Sequence, residues 1–221
     1  MVVDGEPGLG KSAMVHWWAV QTGAVFLRAK KEWTPRWMLR ELLQELRVTP
    51  DHSFEKMYRR TLTELGDRAR LKESEDGTFA VMIDEADHIC RRGQLLETLR
   101  DLSDLLEIPF ILVGMGRIRD SLVRFPQVAS RIGQLVEFKA ASLYDVRHMV
   151  ATLCEVPVKE ELVALLHQAA QGRFREVKEG IKSIERVGLR NKGREMGLAE
   201  MAGRVLLNDR RTGQPITLRA A

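Results

Sequence analysis

Gly5-Glu6-Pro7-Gly8-Leu9-Gly10-Lys11-Ser12 is the stretch on which the reading of this chain turns. It satisfies G-x-x-x-x-G-K-[ST] in full, and each fixed position has a chemical reason. The glycines let the backbone fold tightly enough for several N–H groups to converge on one phosphate. A helix that follows adds the partial positive charge of its N-terminus. Lys11 supplies a compact cation for the β- and γ-phosphates, and Ser12 a hydroxyl for Mg²⁺. The nucleotide-binding set read from this stretch runs from Gly5, Glu6, Pro7, Gly8, Leu9 and Gly10 through Lys11 and Ser12 to Ala13.

The flanks have the elements the loop needs. Met1–Asp4 reads as the end of a buried strand and Lys11–Gln21 as a helix. Further strands are expected at Ala24–Arg28, Thr78–Ile83, Phe110–Gly114 and Leu135–Phe138. Helices are expected at Pro35–Leu46 (with Thr34 as N-cap), Phe54–Lys72, Gly93–Leu106 and Ile118–Phe125. Alternating strands and helices predict an α/β domain with a five-stranded parallel sheet flanked by helices. After Ala141 only helical periods remain, at Leu143–Leu153, Lys159–Ala170 and Arg175–Val187. Residues 1–141 are read as the core and 142–190 as a small helical lid. Residues 191–221 are read as a basic, flexible tail, with one helix possible at Leu198–Leu207. Trp17 and Trp18 are expected to pack in the core.

Phe79-Ala80-Val81-Met82-Ile83-Asp84-Glu85 is an apolar strand ending in two carboxylates. Strand C-terminal ends line the ligand crevice of a parallel sheet. Asp84 is therefore read as the carboxylate that holds Mg²⁺ with Ser12, and Glu85 as the group that polarises the attacking water. His88 has no partner ligand in the sequence and is read as a polar residue opening the next segment.

Composition sets outer bounds. The chain has 221 residues and a net charge of +4, with two cysteines in no metal-binding spacing. Reduced thiols and the lack of a long apolar run or signal sequence predict a cytoplasmic protein with no membrane association. From Arg186 onward eight basic residues face three acidic ones, a bias that suits a polyanion.

Together, Gly5–Ser12, Val81–Ile89 and Ile108-Pro109-Phe110-Ile111-Leu112-Val113-Gly114 resemble the AAA+ ATPases. Within them the chain is similar to the DNA-transposition group, that of phage Mu transposition protein B and the transposon target-selection ATPases. The likeness covers about residues 1–187. It implies ATP and Mg²⁺ as cofactors, and an arginine finger at Arg131 that reaches the γ-phosphate of a neighbouring subunit. It also implies a lid arginine at Arg175 that senses the nucleotide, with Arg173 as the alternative. Two departures stand out. Met115 occupies the place where such ATPases carry a polar sensor, which implies slow or partner-stimulated hydrolysis. The chain also starts directly at the first strand, without the upstream segment that helps build the adenine pocket in such ATPases, so either a truncated reading frame or an unusually short member is expected.

The resemblance implies an ATP-driven ring or filament on duplex DNA that recruits a transposase. Lys30, Lys31, Arg36, Arg40, Arg59 and Arg60 are the candidate phosphate contacts for such binding, which would need no base readout. Trp33 and Trp37, at helical spacing beside them, are read as core or interface residues before stacking platforms. The alternative is a nucleotide switch that controls a protein assembly without DNA, as in secretion or signalling.

Overall fold

The computed structural model describes residues 1–116, 118–191 and 194–218. The chain forms two compact units. One comprises residues 1–6 and 11–138, and the other residues 7–10 and 139–221.

The first unit holds five strands: β1 (Val2–Gly5), β2 (Val25–Arg28), β3 (Val81–Asp84), β4 (Phe110–Val113) and β5 (Leu135–Phe138). They lie in the order β2-β3-β4-β1-β5, all parallel. Parallel neighbours need crossovers, and the intervening helices supply them. These are α1 (Lys11–Thr22), α2 (Pro35–Glu45), α3 (Phe54–Ser74), α4 (Gly93–Leu106), and the short α5 (Ile118–Leu122) and α6 (Pro126–Ala129). The predicted α/β fold with a five-stranded parallel sheet is the fold observed. Thr34 caps α2 as expected, its hydroxyl accepting from the Trp37 N–H.

Alternation along the strands sorts the core into two layers. Val2, Val81, Ile83, Phe110 and Leu112 pack with α2, α3 and α4, where Met38, Leu39, Leu42, Leu43, Met57, Leu65, Leu95 and Leu99 are buried. Val3, Met82, Ile111 and Val113 face the other way and are covered by Val15 and Ala19 of α1. Trp33 is fully buried in the first layer, whereas Trp37 is partly exposed. The expectation that Trp17 packs in the core is wrong. Lys11, Val15 and Ala19 recur every four residues and take the inward face of α1, so Trp17 falls on the opposite side and is 61% exposed. Trp18 is half-buried against the α1 layer.

The second unit holds α7 (Leu143–Leu153), α8 (Glu160–Ala170) and α9 (Phe174–Gly188), followed by β6 (Val205–Asn208) and β7 (Pro215–Thr217). α7 opens with a capping box between Ser142 and Asp145. The last two elements correct the expectation of helix at Leu198–Leu207. β6 and β7 form an antiparallel hairpin. Leu206, Leu207 and Leu218 are buried with Leu166, Val177 and Ile181 of the helices. The Asp209 carboxylate accepts from the N–H groups of Arg211 and Thr212, and Gly213 adopts φ +69°, so the chain reverses in a tight turn. Of the basic residues counted in the tail, Lys192 and Arg219 lie outside the described residues. No described helix is long and apolar enough to cross a membrane.

Candidate functional site

β1 and β3 flank β4 and run in the same direction, so the loop after β1 and the carboxylates ending β3 share the C-terminal edge of the sheet. Gly5 ends β1 with φ +146°, and a Cβ there would lie 2.6 Å from the Phe138 carbonyl oxygen of β5. Only glycine fits this approach, which turns the chain out of the sheet and into the loop. Gly8 and Gly10 also have positive φ.

Lys11, first residue of α1, is 8% exposed. Its ammonium donates to the carbonyls of Gly5 and Glu6, both at 2.8 Å. An ammonium has three protons, so one donor direction remains for a ligand. Burial pulls the Lys11 pKa below its ordinary value, while the charges of Asp87, Asp84 and Asp4 act against that fall. No backbone carbonyl among the described residues accepts from the N–H groups of Gly8, Leu9 or Gly10. A loop with unspent donors and a buried cation with one donor to spare fits a polyphosphate. Ser12 and Ala13 follow in the exposed first turn of α1.

Asp84 ends β3 almost fully buried. One oxygen accepts from the Glu85 N–H at 2.9 Å, and the other, Oδ2, is buried with no hydrogen-bond partner among the described residues. A buried carboxylate oxygen without a donor is costly unless something else satisfies it. A hydrated Mg²⁺ is a hard cation that takes oxygen ligands, and it would do so. The residues present therefore fit Mg²⁺, and Asp84 and the Ser12 hydroxyl would be the groups to hold it. When bound, the ion neutralises charge on the phosphates.

Glu85 sits in the left-handed region at φ 54°, a conformation that costs about 1–3 kcal/mol in a non-glycine residue. The turn starts a short 3₁₀ segment, Ala86–His88, and leaves the Glu85 side chain exposed. Its carboxylate lies 3.8 Å from Arg28 Nε and 3.4 Å from His88 Nε2.

Three further side chains, Arg28, His88 and Asp87, lie at this edge. Arg28 ends β2 in register with Asp84, with its Nε 3.9 Å from Asp84 Oδ2. His88 faces Glu85 as described. The Asp87 carboxylate accepts from the Met115 N–H at 2.7 Å and so ties the end of β4 to the carboxylate turn. It fills the space beside Gly114, where a Cβ would lie 2.6 Å from Asp87 Oδ2. Register with Asp84 is a signal that could have found Arg28. Nothing in spacing alone points to Asp87.

Arg131 follows α6 on the surface, with its Nε 3.2 Å from Asp104 of α4. In the second unit, Arg175 is the second residue of α9. Its side chain is exposed and its backbone N–H donates to the Gly8 carbonyl at 3.3 Å. Arg173 caps the same helix and donates to Gln171.

The basic cluster is largely self-paired. Lys30 bonds Glu41 and lies over the Trp37 ring, and Arg36 donates to the His52 carbonyl. Arg59 pairs with Glu55 and Arg60 with Glu64. Lys31 and Arg40 are exposed with no ion pair among the described residues.

A parallel sheet of this order, with a phosphate loop after β1 and an acidic end on β3, defines a P-loop nucleoside-triphosphatase fold. The chain belongs to the AAA family: the model of the AAA domain matches residues 1–122. No curated protein matches the chain significantly. Among solved structures it is similar to the Aeropyrum pernix ORC2 protein in its ADPNP-ADP complexes, with TM-score 0.65 and 14% identity over 89% of this chain and 58% of that one. It is similar to the Aeropyrum pernix ORC1 protein in complex with DNA, with TM-score 0.61 and 17% identity over 89% and 56%. The Thermotoga maritima RuvB Holliday junction branch migration motor follows at TM-score 0.54 and 17% identity, over 89% and 57%. The chain thus spans a little over half the length of each of these proteins.

Proposed function

We propose that this chain binds Mg-ATP in the loop Gly5–Ser12 and hydrolyses it. The observation that supports this most is Lys11, buried at the sheet edge, bonded to two loop carbonyls and in the field of Asp84 and Asp87. In this reading Lys11 and the loop N–H groups hold the phosphates. Ser12 and Asp84 hold the cation, and Glu85 orients and deprotonates the attacking water. Arg131 acts on a neighbouring subunit's nucleotide, and Arg175 senses the nucleotide from the lid. Met115, with only its backbone engaged, offers no side-chain hydrogen bond to the water, so turnover is slow or stimulated by a partner. Steady-state ATPase assays on the wild type and Glu85→Gln test this reading. Turnover in the wild type that survives the substitution contradicts it.

The finer reading is ATP-driven assembly of an oligomer on duplex DNA, in the service of transposition and transposase recruitment. It is supported by the resemblance to the transposition ATPases and by the net charge of +4. Two fold neighbours, an ORC1 protein in complex with DNA and a Holliday junction branch migration motor, favour the same reading. Lys31 and Arg40 are the candidate contacts that need break no ion pair to reach a phosphate backbone. Filter binding of duplex DNA with and without ATP separates this reading from a protein-assembly switch. ATP-dependent, salt-sensitive retention supports it, and no retention at low salt contradicts it.

A further inference from the structure

The tip of the phosphate loop, residues 7–10, belongs to the second unit, and two groups of that unit hold its carbonyls. Arg210, in the turn between β6 and β7, donates from Nη1 to the Pro7 carbonyl at 3.1 Å. The Arg175 backbone N–H holds the Gly8 carbonyl. In a trans peptide the C=O and the N–H of the following residue point in opposite directions. A donor on the Pro7 carbonyl therefore leaves the Gly8 N–H directed to the other side, and a donor on the Gly8 carbonyl does the same for Leu9. A guanidinium at the carbonyl end also polarises the peptide and makes its N–H the stronger donor to an anion.

Glu176, in the first turn of α9, opposes this effect. Its Oε1 lies 3.7 Å from Arg210 Nη1, and its Oε2 is buried without a hydrogen-bond partner among the described residues. A methyl group on Gly8 would sit 3.4 Å from Glu176 Oε2 and 3.5 Å from Arg210 Nη1. A carboxylate this near the loop repels an anion and draws off part of the cation's field.

We infer that Arg210 is a positioning residue for the polyphosphate of a nucleoside triphosphate, setting the loop tip through the Pro7 carbonyl, and that Glu176 weakens this action. The inference rests on the nucleotide-binding reading above. It gives the hairpin, which no motif in the sequence announces, a part in ligand binding.

The test is calorimetric affinity for Mg-ATP on the full chain, for the wild type, Arg210→Ala, Arg210→Lys and Glu176→Gln, with a melting curve of each without nucleotide. Arg210→Ala is expected to weaken binding about tenfold, the size of one charge-assisted hydrogen bond. Arg210→Lys recovers part of the loss, and Glu176→Gln tightens binding. An ion pair that only held the fold together would make Arg210→Ala and Glu176→Gln lose affinity alike, and that result overturns the inference. Wild-type affinity in Arg210→Ala overturns it too. If Arg210→Ala does not fold, Glu176→Gln decides: tighter binding supports the inference, and unchanged or weaker binding overturns it. A wild type that binds no nucleotide overturns the nucleotide-binding reading itself, a result distinct from a binding wild type with indifferent variants.

Discussion

Replacing Gly5 by alanine tests how the loop is launched from the sheet. The new methyl carbon would lie 2.6 Å from the Phe138 carbonyl oxygen and 3.0 Å from its Cβ. The first obstacle is backbone in the neighbouring strand, in register with Gly5, and cannot swing away. The loop must instead move by several tenths of an ångström, and alanine must also hold a φ of +146°. Strain of this kind costs about 1–3 kcal/mol, and overpacking a filled site costs about as much again. A total of roughly 2–6 kcal/mol corresponds to a drop in Tm of roughly 4–24 °C for a chain of this size. Function should fall further than stability, because the Gly5 carbonyl is one of the two that Lys11 holds. Circular dichroism melts and Mg-ATP titrations would be run beside Gly133→Ala, a site with open space around it, expected to shift Tm little. Equal melting and equal ATP affinity in Gly5→Ala and Gly133→Ala would refute the reasoning.

Glu85→Gln should retain Mg-ATP binding and lose turnover by at least about a hundredfold, the usual weight of a general base, in a coupled-enzyme assay. Arg131→Ala should lower ATPase activity mainly where subunits associate, so specific activity against protein concentration should flatten relative to the wild type. Asp209→Ala should loosen the β6–β7 hairpin. The Thr212 N–H and hydroxyl hold the Asp209 carboxyl below the usual aspartate range, helped by the Arg211 N–H. A depressed folded value means the contribution is complete above the ordinary aspartate pKa and is lost as pH falls through the depressed one. The difference in Tm between wild type and Asp209→Ala should therefore shrink in acid and hold at neutral pH.

The parts legible in the sequence are those where one residue type has few physical alternatives. The loop glycines and Lys11 had a single coherent reading, and Asp84 at the end of an apolar run had few others. The sheet followed from five short runs separated by amphipathic helices, with α4, α7 and β5 falling on their expected bounds. What the sequence hid depended on contacts distant along the chain. Val205–Asn208 is too short to show a period, and it is a strand because Leu206 and Leu207 find buried partners in α8 and α9 while Asp209 reverses the chain. Trp17 was misread because size suggested burial, whereas the four-residue recurrence of Lys11, Val15 and Ala19 decides which face of α1 is inward. Asp87 carries no spacing signal of its own, and only the fold brings the Met115 N–H to it.

In the nucleotide-binding reading, one buried lysine and one buried carboxylate meet a triphosphate and its metal at the same sheet edge. Isothermal titration of ATP into the wild type with Mg²⁺, into the wild type with EDTA, and into Lys11→Ala with Mg²⁺ asks this directly. Saturable one-to-one binding in the first case, weaker binding without the metal, and binding lost or greatly weakened in Lys11→Ala are the predicted results. Binding by Lys11→Ala equal to that of the wild type, or none by the wild type, would contradict the account.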